Sequence, residues 1–498
     1  MRKKYFISRI IIIIIVSELV TAFMLFPFSI VHSCIPMGPI EWVKTWGGDN
    51  QEIMFEMVVD SSEDIFIAGE IWSYDETFND IFIVKINETF SFNATWGDVM
   101  QQEFSGMVLD SEENIFITGS STGYLPGIKE VFLLKYNNNL TLEWSTTWDV
   151  IGLDFSAGIV VDSLDNIYIS GMTNYPNCDV FLIKYNNSGA IQWNYTWSTE
   201  SNNTSEEVLS MVVDSMDNIF LGVNTNTTGS EWFLLKYNSS GSLLLNRSYN
   251  KFIPIEQLVI DSSDDLYALG SYNSTYLTKL NNEGNVEWNL TCIQNVLRGT
   301  EKLVIDSSDN VFVIGNELIN LSAIVHGYNM TDYDTYLMKF NETGDLYWNH
   351  TISYSNNIYP ELLTFDPLGN IYFGGSLGMI APGGLGYSII ILDNLGYCIR
   401  SESGGCTKGN CYCKGIYAES PINFIAAINS PCCGEDYYDI MLIKYTKFDI
   451  SHCLPVPNPW LIGILQIGIS TILVIIGISY LVKKEKRRKV QRSLFKII

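Results

Sequence analysis

Asp162-Ser163-Leu164-Asp165-Asn166-Ile167-Tyr168, followed by Phe181-Leu182-Ile183-Lys184-Tyr185, is one copy of a unit that recurs along the chain. Its opening marker, Asp-Ser-x-x-Asn/Asp and then Ile, Val or Leu before an aromatic residue, begins at Asp60, Asp110, Asp162, Asp214, Asp261, Asp306 and Asp366, with Pro367 replacing Ser in the last. An eighth, degenerate copy starts at Glu419, where Ser420 and Asn423 keep the spacing. Neighbouring markers stand between 45 residues (Asp261 to Asp306) and 60 residues (Asp306 to Asp366) apart. A period of that length marks a blade-forming repeat, in which each unit is a small sheet that buries its faces against its neighbours.

Two further markers travel with the first. A strand-like run carrying Lys recurs at Lys85, Lys135, Lys184, Lys236, Lys279, Lys339 and Lys444, with Ile391 in the same slot of the seventh unit. Its Asn-rich continuation often ends in Gly, and a Trp-rich run follows, as at Trp144 and Trp148 or Trp193 and Trp197. Each unit therefore reads as four short strands. The distance from the opening marker to the Lys slot is 25 residues in units one, two, seven and eight, which supports the eighth unit. The fourth-strand pattern also occurs once too early, at Ile40 to Trp46, while the last unit stops after its third strand near Tyr445. The expected fold is all-β: a β-propeller of four-stranded blades over residues 40–450, with eight blades (seven as the alternative), closed by an N-terminal strand that completes the last blade. Such closure removes exposed sheet edges. Runs such as Val131-Phe132-Leu133-Leu134 are apolar on successive residues, as strands covered on both faces require.

On these residues the units resemble the β-propeller repeat family abbreviated SBBP. The resemblance spans residues 40–450 and implies repeated four-stranded blades in exported or surface proteins of prokaryotes, with no shared catalytic residues. The chain departs from that repeat by using Asp or Asn where it usually has Gly-Asn in the first turn, and by counting eight units where the name suggests seven.

Both ends of the chain carry membrane signals. Residues 1–33 place Arg2, Lys3, Lys4 and Arg9 ahead of a nearly wholly apolar stretch, and read as a signal peptide or an uncleaved signal anchor. After a linker at 451–460, residues 461–482 form an apolar run long enough to cross about 30 Å of hydrocarbon as a helix, and residues 483–498 form a basic tail. Positive flanks at both ends put both on the cytoplasmic side before processing, with the repeats outside the cell membrane. Of 29 basic and 55 acidic residues, 12 and 2 lie in residues 1–33 and 461–498, which leaves 17 and 53 and a net charge of −36 on the rest. Such a surface repels nucleic acid. Sequons for asparagine-linked glycosylation occur at Asn87, Asn93, Asn139, Asn186, Asn194, Asn202, Asn203, Asn226, Asn238, Asn246, Asn273, Asn289, Asn320, Asn329, Asn341 and Asn349.

The cysteines read as disulfide partners in an oxidising compartment. Cys34 and Cys453 flank the ring and would lock its closure, while Cys398, Cys406, Cys411, Cys413, Cys432 and Cys433 cluster in the last blade and the loop before it. The Cys-x-Cys and Cys-Cys spacings suit zinc less well than disulfides. The Asp-rich marker admits a calcium reading, against which stands a structural one: Asp and Ser start turns and Asn tolerates the left-handed conformation that closes them. No cofactor is expected. The Gly-rich stretch Gly374 to Gly386 reads as a flexible loop between strands, and no catalytic constellation stands out.

In a four-stranded meander the loops joining strands one to two and three to four share one end of the ring. Here these are short and uniform, whereas the others vary, the marker-to-Lys distance running from 18 residues in unit five to 33 in unit six. Long loops on a rigid scaffold are where binding resides. The variable face is expected to point away from the membrane and to carry the exposed aromatics Trp72, Tyr74, Tyr124, Tyr175, Tyr328, Tyr333 and Tyr387. The sequence reads as a cell-surface binding or scaffold protein that recognises a protein or a glycan. The alternatives are an exported propeller enzyme such as a quinone-dependent dehydrogenase, suggested by the vicinal Cys432 and Cys433, and a passive envelope component.

Overall fold

The structure, a computed structural model, describes residues 40–47, 50–72, 78–87, 91–97, 100–122, 127–149, 152–174, 178–199, 204–225, 231–249, 254–294, 301–325, 328–352, 357–381, 384–405, 411–420, 423–430 and 438–445, without the side chains of 91, 319–332, 378–385, 405 and 420. These residues form eight antiparallel four-stranded sheets. Seven are consecutive meanders, from Gln51–Val59, Ile65–Trp72, Asn79–Ile86 and Ser91–Trp96 in blade one to Ile358–Phe365, Ile371–Ala381, Gly384–Leu392 and Cys398–Gly405 in blade seven. Blade eight joins Tyr412–Ser420, Asn423–Ser430 and Asp439–Tyr445 to Ile40–Trp46, which supplies its outermost strand. Ile40 pairs with Tyr445 and Trp46 with Ile440. Each blade's first strand packs on the first strand of the next, and Tyr412–Ser420 packs on Gln51–Val59, so the ring is closed at eight blades.

Burial explains why the strands differ in sequence. Second and third strands are covered by neighbouring blades on both faces, and Ile65 to Glu70 and Ile81 to Ile86 are buried without a break. Fourth strands form the outer wall and alternate: Leu142–Trp148 exposes Leu142, Glu143, Ser145 and Thr147. The last aromatic of four of these strands caps the third-strand Phe of the next blade, Trp46 on Phe82 (ring centroids 4.8 Å), Trp96 on Phe132 (4.6 Å), Trp148 on Phe181 (4.7 Å) and Trp197 on Phe233 (5.1 Å). Aromatic pairs at this separation add about 1 kcal/mol beyond the area they bury.

Three sequence expectations are corrected here. The long spacing in unit six is not a loop but an extended hairpin, Val311–Val325 paired with Tyr328–Phe340. The Gly-rich stretch is strand: Gly374 and Gly375 lie within Ile371–Ala381, and a side chain at Gly375 would meet the Tyr359 carbonyl at 1.9 Å. Its glycines serve close packing rather than flexibility. Cys413 is a free, buried thiol whose Sγ stands 2.8 Å from where a Cβ of Gly374 would be, so it fills the space that glycine leaves. Cys178 and Cys292 are also free, whereas Cys398 and Cys411 are not. Cys34, Cys406, Cys432, Cys433 and Cys453 lie outside the described residues, as do residues 1–33 and 451–498. Among the described residues no helix is long and apolar enough to cross a membrane.

Candidate functional site

The end of the ring that carries the short turns is a continuous polar clasp. In blade three, Asp162 Oδ1 accepts the N–H groups of Leu164 (3.0 Å) and Asn166 (2.8 Å), while Oδ2 accepts the Tyr168 hydroxyl (3.0 Å) and faces Lys184 Nζ at 3.3 Å. Burial pushes the Asp162 carboxyl up, but the Asn166, Leu164 and Tyr168 donors outweigh it and hold the group below the usual range. Lys184 Nζ lies 4.9 Å from the Tyr168 ring centroid. The Asp, Asn, aromatic and Lys of the repeat are therefore one buried constellation. Asn187, in the third-to-fourth turn of blade three, reaches back to blade two, accepting from Lys135 (2.5 Å) and donating to Asp110 (3.0 Å). Asn138 does the same for Lys85 and Asp60, and Asn282 for Lys236 and Asp214.

The fourth residue of each marker turn is the left-handed one: Glu63, Glu113, Asp165, Asp217, Asp264 and Asp309 have φ between 57° and 65°, and Gly369 has 78°. The expectation that the following Asn takes this conformation is thus wrong by one position. A non-glycine residue here costs roughly 1 kcal/mol, and the acidic side chain offsets it by binding the preceding blade. Asp217 accepts the Ser163 N–H and hydroxyl (both 2.9 Å), Asp165 those of Ser111, Asp264 those of Ser215 and Asp309 those of Ser262. This accounts for the marker's Ser. Because Asp60, Asp162, Asp214, Asp261 and Asp306 already hold backbone N–H groups and face a lysine within 4 Å, a calcium ion there would have to displace the lysine.

The opposite end is heterogeneous. One register of the second strands still bridges blades, but with changing chemistry: Glu70 accepts the Phe104 N–H (2.8 Å), Ser120 that of Ser156 (2.9 Å), and Asn224 and Asn429 grip both backbone groups of Ile255 and Met54. Trp72 is 42% exposed, with its indole N–H donated to Glu70 (3.1 Å) and its ring free, beside Phe78 at 38%. Tyr333 packs against Tyr359 (6.2 Å) and Tyr328 begins the returning strand of the blade-six hairpin. Tyr387 is not a surface residue: at 8% exposure it lies over Gly404 of the neighbouring strand and packs into the core shared with blade eight. Tyr74, Tyr124 and Tyr175 lie outside the described residues.

The sequons separate by register. Asn93, Asn194, Asn246, Asn289 and Asn349 occupy equivalent, exposed positions on the fourth strands of their blades. Asn186, Asn238 and Asn341 instead key third-to-fourth turns, each Oδ1 accepting backbone N–H groups two and four residues on. Asn139 and Asn273 are exposed in turns and Asn87 is half-buried, while Asn202, Asn203 and Asn226 lie outside the described residues.

Sequence reasoning missed two features. On the innermost strands a bulge turns Phe55 outward (47% exposed) to stack on Phe104 at 5.8 Å, and the next residue, Glu56, accepts the Met107 N–H of blade two (2.7 Å). Burial raises the Glu56 carboxyl to about 7 against that bond. The equivalent residue of blade five, Gln257, bonds both N–H and C=O of Leu303.

The second feature is a cleft of about 650 Å³ between blades four and five. Blade five departs from its siblings on the face toward blade four. Ala268 stands where blades one to four and six have Ile67, Ile117, Ile169, Leu221 and Val313, and Thr278 where they have Val84, Leu134, Ile183, Leu235 and Met338; blade seven has Phe373 with Ile390, and blade eight pairs its own Ala426 with Ile443. The aromatic cap also fails there. Tyr249 occupies the capping position of blade four but stacks on Trp232 of its own blade (4.3 Å, 17°) and donates its hydroxyl to the Gly284 carbonyl (2.5 Å), leaving Tyr276 of blade five uncapped. Lining up the repeats by register would have exposed both substitutions.

No protein-family model and no curated protein matches the chain. Its similarity is to solved propeller structures. Sqt1 from Chaetomium thermophilum superposes with a TM-score of 0.50 at 9% identity, covering 80% of this chain and 98% of that one. YCF48 bound to a D1 peptide gives 0.41 at 9% identity over 85% and 100%. Virginiamycin B lyase from Staphylococcus aureus gives 0.38 at 10% identity over 68% and 94%. At such identities the likeness speaks for the fold alone.

Proposed function

We propose that the chain is a non-catalytic, cell-surface binding or scaffold protein built from SBBP-type repeats. In this reading residues 1–33 direct export, residues 461–482 anchor the chain and the variable rim recognises a protein or glycan outside the cell. The observation that carries the reading is the contrast between the two rims: one is committed, turn after turn, to holding blades together, and the other leaves Trp72 and Phe78 exposed among connections that differ from blade to blade. Rigid support with variable loops is the arrangement that binding sites use. Disulfides of Cys398 and Cys411 and glycans on the wall sequons Asn93, Asn194, Asn246 and Asn349 belong to the same exported setting. The test is a screen of the detergent-solubilised full chain against surface proteins and glycans, with Trp72→Ala and Phe78→Ala beside Ser163→Ala of the turn rim. Saturable binding lost in the first pair and kept in the third supports the proposal; binding that survives the first pair and is lost in the third overturns it.

A further inference from the structure

We propose that the cleft between blades four and five is a binding site for a neutral saccharide of one or two rings, separate from the variable rim and independent of the function proposed above. At about 650 Å³ the cleft lies within the usual size of small-molecule sites. It is a local departure from a repeated plan, because blades one to four and six fill the same two registers with larger apolar side chains, and blades one to four have their third-strand Phe capped by an aromatic of the preceding blade. Three changes at one interface, Ala268, Thr278 and the diverted Tyr249, open the space together.

The lining selects the ligand chemistry. Tyr276 contributes an uncapped, half-buried ring, the surface on which the C–H face of a pyranose stacks. Around it stand the Tyr276, Thr278 and Ser248 hydroxyls and the Asn289 amide, all neutral groups that both donate and accept, and no other described residue engages these side chains. Glu231 adds a carboxylate at the edge. No cationic side chain lines the cleft, so a phosphate or sulfate has no partner, and the net charge of −36 between the termini disfavours anions further. A wholly apolar ligand would leave the hydroxyls dry, which costs free energy. Sugar hydroxyls satisfy them.

The experiment is titration of the full chain in detergent, made in cells without asparagine-linked glycosylation so that Asn289 stays bare. The probes are glucose, galactose, mannose, N-acetylglucosamine and their β-linked disaccharides, with glucose 6-phosphate as the anionic control. Saturable binding of at least one neutral sugar is expected. It falls at least tenfold in Ala268→Leu/Thr278→Val, which restores the plan of the other blades and keeps the thermal transition at or above that of the parent. Thr278→Val alone, which removes a hydroxyl at constant shape, weakens binding by about 5- to 30-fold. The proposal is overturned if no neutral sugar saturates, if the filled variant binds as tightly as the parent, if glucose 6-phosphate binds as tightly as glucose, or if Trp72→Ala at the variable rim abolishes the binding.

Discussion

The two rims of the ring use the same strands and solve the same problem, fastening one blade to the next, in opposite ways. At the turn rim the solution is copied: Asp, Ser, an acidic left-handed residue and Lys recur with little change from blade one to blade five, and an Asn returns to blades one, two and four. At the other rim the bridging register is Glu70, Ser120, Asn224, Asn316 and Asn429, so both the residue type and its bonds change around the ring. The difference teaches that blade docking needs one dependable rim, after which the other can change its connections without opening the ring.

The largest effect should come from breaking the copied rim. Asp214→Ala removes the turn's acceptor, the Asn282 bond and the partner of Lys236, whose side chain is 8% exposed. Stranding a buried charge costs about 3–5 kcal/mol, so chemical denaturation should show a loss of that size, and a loss under about 1 kcal/mol would sink the clasp interpretation.

Next is Glu56, which tests whether the inner strands share the copied logic. Its folded pKa, about 7, lies above the ordinary 4.5, so the folded state holds a proton that the unfolded chain releases. The contribution is fully present below about pH 4.5 and is lost as pH rises through about 7, a decline on the order of 3 kcal/mol. Glu56→Gln should remove that slope and, by copying Gln257, leave the protein more stable than the parent at pH 8. Equal slopes in the two proteins between pH 4.5 and 7.5 would show that Glu56 is not the titrating group.

Smaller effects separate strain from bonding within the clasp. Asp217→Ala loses two bonds to Ser163 and keeps the positive φ, an expected cost of about 1–2 kcal/mol, whereas Asp217→Gly also relieves the backbone and should cost less than half as much. At the variable rim Trp72→Ala should move stability by under about 1 kcal/mol. Smallest in energy, and sharpest in location, is glycosylation: peptide mass spectrometry of protein from its own cells should find glycans on wall sequons such as Asn349 and bare asparagine at Asn341, whose Oδ1 closes a turn. Modified Asn341 with bare Asn349 would reverse that assignment.

Much of the fold was legible because repetition converts weak local signals into a strong periodic one. The displaced strand Ile40–Trp46 announced the ring closure since a fourth-strand pattern stood where no blade preceded it. The left-handed turn position was misassigned because Asp, Glu and Asn all tolerate that conformation, and only the bond from Ser163 to Asp217 shows why an acid is placed there. Tyr387 and the Gly-rich stretch were misread for a related reason. An aromatic near glycines looks like a loop until strand pairing puts the ring over Gly404. The cleft was invisible residue by residue, since Ala268 and Thr278 are ordinary strand residues that become informative only beside their counterparts.

Ile40 and Tyr445 are hydrogen-bonded neighbours separated by 405 positions along the chain. A ribosome adding about 5–20 residues per second needs roughly 20–80 s to make the second strand after the first. Throughout that interval Trp42 and Trp46 sit on an unpaired edge, the kind of edge that templates aggregation. Blades one to seven can stack in order as they emerge, but the ring shuts only once Tyr445 has been made, so the contact that closes the fold is also the one that its first strand waits longest for.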